Sequence, residues 1–166
     1  MSVCKTLASE KSESNVSRVQ LKSEKSRANY SFKKLNKSRF VASSLQNSLF
    51  RSAQLRGANF YGADLTESDF RGAFLQNSKF EDVQAERSQF HGAKAQKSSF
   101  VKARLKNSNF RQADLYEANF SEADLKGADF SDAILVRTQF KNAIIDQRTQ
   151  LPFSFAEAQR RGAILK

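Results

Sequence analysis

Three arginines and the single histidine of the chain recur at intervals of twenty residues. They are Arg51, Arg71, His91 and Arg111, called here the arginine ladder. If every twentieth residue lies in one column of the fold, these side chains form a cationic row that could bind a linear anion, such as a nucleic-acid backbone or an acidic protein edge. The alternative is that the long side chains spread apart and pair with neighbouring carboxylates such as Asp69, because like charges at short spacing repel. In that interpretation His91 is a passive member of the column.

The residue types that most often catalyse reactions are nearly missing. Cys4 and His91 are the only cysteine and histidine, too few for a disulfide within the chain, a zinc cluster or a Cys/His nucleophile pair. The sequence also shows no paired acid and base, no metal-ligand constellation and no phosphate-binding loop. We therefore expect a protein that is not an enzyme and that needs no cofactor.

Internal repetition dominates the sequence. Phenylalanine occupies every tenth position from 40 to 140, and leucine or isoleucine stands midway, with Ala85 and Ala95 as exceptions. Two residues before each large residue stands a small one, Ala or Ser at 20 of 22 positions, the others being Val83 and Thr138. The predicted core residues are Phe40, Phe50, Phe60, Phe70, Phe80, Phe90, Phe100, Phe110, Phe120, Phe130, Phe140, Leu35, Leu45, Leu55, Leu65, Leu75, Leu105, Leu115, Leu125, Leu135 and Ile145.

The five-residue period fits neither common element. On an α-helix successive repeats would rotate by about 140° and form no stripe, and a flat strand needs a period of two. What fits is a short extended segment, in which the small and the large residue point to one side, followed by a corner. Each pentapeptide is then one side of a coil. Four sides stack Phe on Phe and Leu on Leu, whereas three would stack Phe on Leu, so the alternation favours a coil of 20 residues.

The runs ANFYG at 58–62, ADLTE at 63–67 and ADLKG at 123–127 resemble the A(D/N)LXX signature of the pentapeptide repeat family. The resemblance extends over residues 26–146, or 24 consecutive pentapeptides in one register. It implies an all-β fold, a right-handed quadrilateral parallel β-helix (a solenoid) whose axis is filled by the large residues. Twenty-four sides form about six four-sided coils, and at about 4.8 Å per coil the rod is roughly 29 Å long.

Both ends of the chain lose the repeat. Terminal coils would otherwise expose apolar columns and unpaired backbone groups, so we expect caps. We divide the chain into residues 1–25, a polar Ser- and Lys-rich N-terminal tail or cap; residues 26–146, the β-helix; and residues 147–166, a C-terminal cap with a short helix.

The C-terminal cap carries helix signals. Ser154 and Glu157 have the spacing of a capping box, and Gly162 follows as a stop, which predicts a short capping helix. Phe153 and Phe155 are expected to close the exposed phenylalanine column. In proteins that this sequence resembles, such C-terminal elements also form dimers, so the resemblance implies a homodimer through this cap.

Charge is high and uneven. The 28 Lys and Arg against 17 Asp and Glu give a net charge of +11. Residues 1–40 carry +7, whereas residues 111–146 carry −3. Some bacterial members of the family resemble B-form DNA in size and negative charge, bind DNA gyrase and confer quinolone resistance. The positive net charge argues against that function here, because a groove that receives DNA is itself positive.

The leading functional hypothesis is a non-catalytic interaction scaffold, a rigid rod that binds a macromolecular partner, preferably a protein, through its surface columns. One alternative is a DNA-gyrase binding protein of the quinolone-resistance type. A second is a protein that binds nucleic acid, another anionic polymer or an anionic membrane surface. A third is a secreted bacterial effector with a Ser-rich signal at its N-terminus. No run of 18 uncharged apolar residues occurs, so we expect no transmembrane segment and a location in the bacterial cytoplasm.

Overall fold

The computed structural model describes residues 26–166; the predicted tail or cap at residues 1–25 lies outside them. The described chain winds as a coil in which parallel bridges join residues 20 positions apart, starting with Asn29 to Leu49 and Lys34 to Gln54. A bridge occurs every five residues, so four sides complete one coil. Each of these bridges is a single residue long, and a corner turn begins two residues after it.

Longer regular elements lie near the C-terminus. Strand β1 spans Ile144–Ile145, helix α1 spans Phe155–Arg160 and strand β2 spans Ile164–Leu165. The two strands pair in parallel, with Ile144 opposite Ile164 and Ile145 opposite Leu165. In the described part of the chain, no helix is long and apolar enough to cross a membrane.

Each corner from residue 27 to residue 142 is a turn that contains a residue in the left-handed region. The Ala53 N–H donates to the Phe50 carbonyl at 3.1 Å, and between them Ser52 has a φ of 51°. The Ser52 N–H also donates to the carbonyl of Arg71 in the next coil at 3.0 Å. Nineteen described non-glycine residues share this positive φ, which costs about 1 kcal/mol each. Hydrogen bonds between coils therefore stabilise these turns at positions where glycine is absent.

Two phenylalanine columns fill the axis. Within a column the rings stack: the centroids of Phe50 and Phe70 are 4.6 Å apart, with their planes 1° from parallel. Between the columns the rings meet edge to face, as Phe60 and Phe70 do at 5.6 Å and 88°. Of the predicted core residues, all are buried except Leu35, which is partly buried and packs against the core in the first described coil.

One extra residue interrupts the period after β1. Asp129 bridges Gln150, 21 positions away, instead of residue 149. Beyond this point the ring of Phe153 meets Phe140 edge-on, with centroids 6.4 Å apart, and so covers the end of one phenylalanine column. The Ser154 hydroxyl accepts a hydrogen bond from the Glu157 N–H at 3.3 Å and caps α1. The end of the coil is thereby shielded by side chains of the cap.

Candidate functional site

The arginine ladder lies on one side of the coil. The residues two positions before its members form a continuous series of bridges, Leu49 to Asp69 to Gln89 to Asn109. The buried rings behind them, Phe50, Phe70, Phe90 and Phe110, stack at 4.6–5.0 Å. The structure therefore brings the four predicted residues into one column, one coil apart.

Two of the three arginines in this column converge on a single carboxylate. The side chain of Asp69 is only 8% exposed, and its Oδ2 atom lies 2.5 Å from Arg51 Nε and 2.7 Å from Arg71 Nη2. Burial alone would raise the pKa of Asp69, but the hydrogen bonds donated by Arg71 and Arg51 outweigh it and hold that pKa below its usual range. Arg51 and Arg71 are thus both paired with Asp69.

The two remaining members of the ladder, Arg111 and His91, differ in their acidic neighbours. Arg111 lies 3.8 Å from an Asp129 oxygen and 4.0 Å from an Asp132 oxygen. His91 is half-buried and forms no ion pair with the residues that the structure describes. This geometry matches the alternative of pairing with neighbouring carboxylates. The role of the ladder in binding a partner stays a prediction.

A second cationic surface lies on the adjacent side, and its cations do not recur every twenty residues. This side comprises residues 33–37, 53–57, 73–77 and 93–97, and over these four coils it carries no acidic residue. Each of the other three sides carries at least one carboxylate in the same coils. We call its six exposed cationic residues the basic strip: Lys33, Lys34, Lys37, Arg56, Lys94 and Lys97.

The acidic segment at residues 111–146 is not a free anionic surface. Glu117 lies 3.1 Å from Arg137, Asp124 lies 3.3 Å from Lys106, and Asp146 lies 2.8 Å from Arg148. Asp114 accepts a hydrogen bond from the Gln96 amide at 2.6 Å. Much of the negative charge that the sequence assigns to this segment is therefore compensated within the rod.

Exposed apolar side chains occur at the C-terminal end. Ile134 and Val136 are 50% and 55% exposed on the side that carries the basic strip, but two coils beyond it. Ile164 and Leu165 of β2 are 41% and 39% exposed. Beside β2, a shallow open cleft is lined by Asp146, Gln147, Arg148, Leu165 and Lys166. These residues make the C-terminal end a candidate contact surface.

Comparison with known proteins identifies the family. The sequence matches the family described as "Pentapeptide repeat region" over residues 63–149 and the one described as "Pentapeptide repeats (8 copies)" over residues 34–72 and 43–82. No curated protein matches the chain.

Three solved structures illustrate the likeness. Rfr23 from the cyanobacterium Cyanothece 51142 is 23% identical over 64% of this chain and 63% of its own, with a TM-score of 0.42, so this chain spans less than two thirds of that protein. Trypsin-treated QnrB1, a plasmid-mediated fluoroquinolone resistance protein, is 17% identical over 84% and 87%, with a TM-score of 0.50. HetL from Nostoc sp. strain PCC 7120 is 23% identical over 85% and 78%, with a TM-score of 0.38. At these identities the likeness concerns the fold alone: the chain belongs to the pentapeptide repeat family and forms its right-handed quadrilateral β-helix.

Proposed function

We propose that this chain is a non-catalytic interaction scaffold, a rigid rod of about six coils that binds a macromolecular partner through its side faces. The filled axis is the observation that carries the proposal. Ten consecutive phenylalanines from Phe40 to Phe130 are fully buried, and their rings contact one another both along and across the axis. A ligand therefore has access to the outside of the coil rather than to its interior.

The backbone groups along the rod are hydrogen-bonded between coils, which leaves the side chains to recognise a partner. At Gln54, for example, the N–H donates to the Lys33 carbonyl at 2.9 Å, and the carbonyl accepts from the Leu35 N–H at 2.7 Å. Such pairing recurs on every side of the coil, so the backbone has few free groups for a partner along the rod. A surface held in this way is ordered before binding, which reduces the entropic cost of association.

Affinity capture tests this proposal. The full chain is immobilised and exposed to DNA gyrase, to DNA and to a bacterial lysate. We expect the native rod to retain a macromolecule. The double variant Phe90→Ala and Phe110→Ala, whose coil is unfolded, should not retain it. The surface variant Gln112→Ala should behave like the native rod. Retention of nothing by the native rod, or turnover of a substrate by it, would contradict the scaffold function.

A gyrase-binding function of the quinolone-resistance type is the second candidate. QnrB1 shares the fold, and this similarity is the observation in its favour. The net charge of +11 and the ion pairs at Glu117 and Asp146 oppose it, because a DNA mimic must present free negative charge. Addition of the chain to a gyrase supercoiling assay containing a quinolone decides between the two: protection of supercoiling would favour the resistance function.

We also propose that the C-terminal cap forms a homodimer. Among residues 26–166, strand β2 pairs with β1 and forms the edge of a two-stranded sheet, and its Ile164 and Leu165 are exposed apolar residues. Such an edge readily pairs with a second chain. Light scattering should show a dimer for the full chain and a monomer for Ile164→Lys. A monomeric native chain would contradict this proposal.

We also propose a location for the rod and a role as an effector. The bacterial cytoplasm is the location we propose for the rod, and cell fractionation tests it. A role as a secreted effector depends on residues 1–25, which lie outside the described residues. Fusion of residues 1–25 to a translocation reporter tests that role, which absence of translocation would exclude.

A further inference from the structure

The basic strip is a continuous surface rather than a collection of separate charges. Bridges join Lys34 to Gln54, Gln54 to Phe74 and Phe74 to Lys94, so these side chains follow one another along one side of the rod. Between the charged positions stand neutral amides, and the Arg56 Nε atom donates to the Gln76 Oε1 atom at 3.2 Å. The side is therefore built from cations and amides over four successive coils.

The charges of the strip are not compensated within the rod. Among residues 26–166, the cations Lys33, Lys34, Lys37, Arg56 and Lys94 form no ion pair. Lys97 lies at the end of the strip, 3.7 Å from Glu117, where acidic residues begin. The charges of the arginine ladder are compensated, because Arg51 and Arg71 both form ion pairs with Asp69. The strip is thus the part of the described surface where positive charge is most available to a partner.

Phe74 holds two of these cations in place. The Arg56 guanidinium, from the preceding coil, lies 5.7 Å from the ring centroid, and the Lys94 ammonium, from the following coil, lies 5.2 Å from it. Cation–π attraction orders both side chains without neutralising either charge. Because these long side chains are ordered before binding, less entropy is lost when they contact an anion.

We propose that the basic strip binds the phosphate backbone of a nucleic-acid duplex, an inference that rests on the scaffold function proposed above and names its partner. Three coil steps of about 4.8 Å separate Lys34 from Lys94. This length of about 14 Å corresponds to about four nucleotides of one strand at 3.4 Å per nucleotide. Phosphate contacts of this kind carry no sequence information, so the binding is expected to be independent of sequence.

The composition of the strip favours a duplex over other polyanions. Single strands are bound in grooves by several exposed aromatic rings, whereas Phe74 is partly buried with Arg56 and Lys94 over its ring, and one exposed ring, Phe32, adjoins the strip beside Lys33. A membrane surface requires a cluster of apolar side chains that can insert; a single exposed one, Phe32, adjoins the strip, and the exposed Ile134 and Val136 lie two coils beyond it. Acidic protein partners usually bind around buried apolar anchors, and the strip offers mainly cations and amides.

Fluorescence anisotropy with a labelled 20-base-pair DNA duplex tests the inference on the full chain. The strip variant combines Lys34→Gln, Arg56→Gln and Lys94→Gln. The matched control combines Arg51→Gln, Arg71→Gln and Arg111→Gln, which removes the same charge from the arginine ladder. We expect the strip variant to lose at least about tenfold in affinity, while the ladder variant loses less than about threefold. The slope of log affinity against log salt should become shallower by about 3 in the strip variant, because each lost phosphate contact changes it by about 1.

Several outcomes would overturn the inference. Equal losses in the two variants, with circular dichroism showing both folded, would mean that only net charge matters. Tighter binding to a single-stranded 20-mer, to polyglutamate or to vesicles containing phosphatidylserine would assign the strip to another partner. No binding of the duplex at physiological salt would reject the inference while leaving the scaffold function intact, provided the native rod still retains a protein in affinity capture.

Discussion

Phe90 stacks on Phe110 with ring centroids 4.7 Å apart and planes 2° from parallel, while Phe100 meets both rings edge-on at 5.6 Å. Each central ring therefore contacts neighbours above, below and across the axis. Every ring is held by a coil that is hydrogen-bonded to the next. The neighbours of a removed ring consequently have little freedom to fill its place.

The first prediction follows for Phe110→Ala. The free energy of unfolding should fall by about 3–5 kcal/mol, because the variant loses the buried ring and leaves a cavity that the coil cannot close. Urea titration of the native chain and the variant measures this difference, with Gln112→Ala as the surface control in the same coil. A loss below about 1 kcal/mol would show that the column is not tightly packed.

The second prediction concerns the two alanines that replace leucine in the core. Ala85 and Ala95 are buried, yet the rings beside them keep their usual distance across the axis, with centroids 5.8 Å apart for Phe80 and Phe90 and 5.6 Å apart for Phe90 and Phe100. The coil has therefore not contracted around the missing side chains. Ala95→Leu should stabilise the rod by about 1–2 kcal/mol. Ala85→Leu should stabilise it less, because the buried Val83 on the same side already takes up part of the space.

Thermal unfolding of both alanine variants checks this comparison. Leu125→Ala provides the reverse control, since it creates the same replacement in a coil that has its leucine, and it should destabilise the rod by about 2–5 kcal/mol. A marked drop in melting temperature for Ala95→Leu would mean that its site is already filled.

The third prediction concerns the left-handed corner residues. Gly62 has a φ of 63°, and a Cβ atom added there would meet nothing within 4 Å. Gly62→Ala should therefore cost about 1 kcal/mol from backbone strain alone. Gly62→Asn should cost less, because asparagine tolerates this conformation better. Chemical denaturation measures both, and equal stability of all three chains would show that hydrogen bonds between coils remove the strain.

The fourth prediction is a loss of stability in acid that depends on Asp146. Burial alone would raise the pKa of Asp146, but hydrogen bonds from Arg148, the Gly127 N–H and Thr149 lower it to about 2. A carboxyl whose pKa is lowered by folding stabilises the folded state above its unfolded pKa, near 4, and this contribution is lost as the pH falls towards 2. The melting temperature of the native chain should decrease over that interval.

Asp146→Asn isolates this contribution. The variant should melt at a lower temperature than the native chain at pH 7 and should show a shallower decrease between pH 4 and pH 2. Asp132→Asn, at an exposed carboxylate 4.0 Å from Arg111, is the control and should follow the native curve closely. If all three chains show the same pH dependence, Asp146 does not carry the effect.

Much of the fold can be predicted from spacing. The ten-residue alternation of Phe and Leu predicts like-on-like columns, and the stacking of Phe50 on Phe70 shows them. The extra residue after Ile145 could not be predicted, because it is accommodated by a local turn in which Thr149 and Asp146 hydrogen-bond to each other. Spacing determines which residues share a column, but it does not determine how a single irregular turn is closed.

The candidate site was only partly predictable. The sequence places the arginine ladder in one column, but whether Arg51 and Arg71 face solvent or Asp69 depends on side-chain conformation and burial, which spacing does not determine. The basic strip could have been found by counting acidic residues separately on each side of a four-sided coil. A search for like charges every twenty residues misses it, because Gln54 and Phe74 stand between Lys34 and Lys94 in their column and Arg56 occupies another position of its pentapeptide.

Lysine footprinting of the full chain bound to the 20-base-pair DNA duplex tests most directly the claim that this rod binds a partner through one side face. The reagent acetylates exposed amines, and mass spectrometry compares the free with the bound chain. We predict protection of Lys34, Lys37 and Lys94 on the strip. Lys79 and Lys102, which lie on the next side of the coil, should react equally in both states. Equal protection of both groups of lysines, or protection confined to the C-terminal cap, would contradict the account.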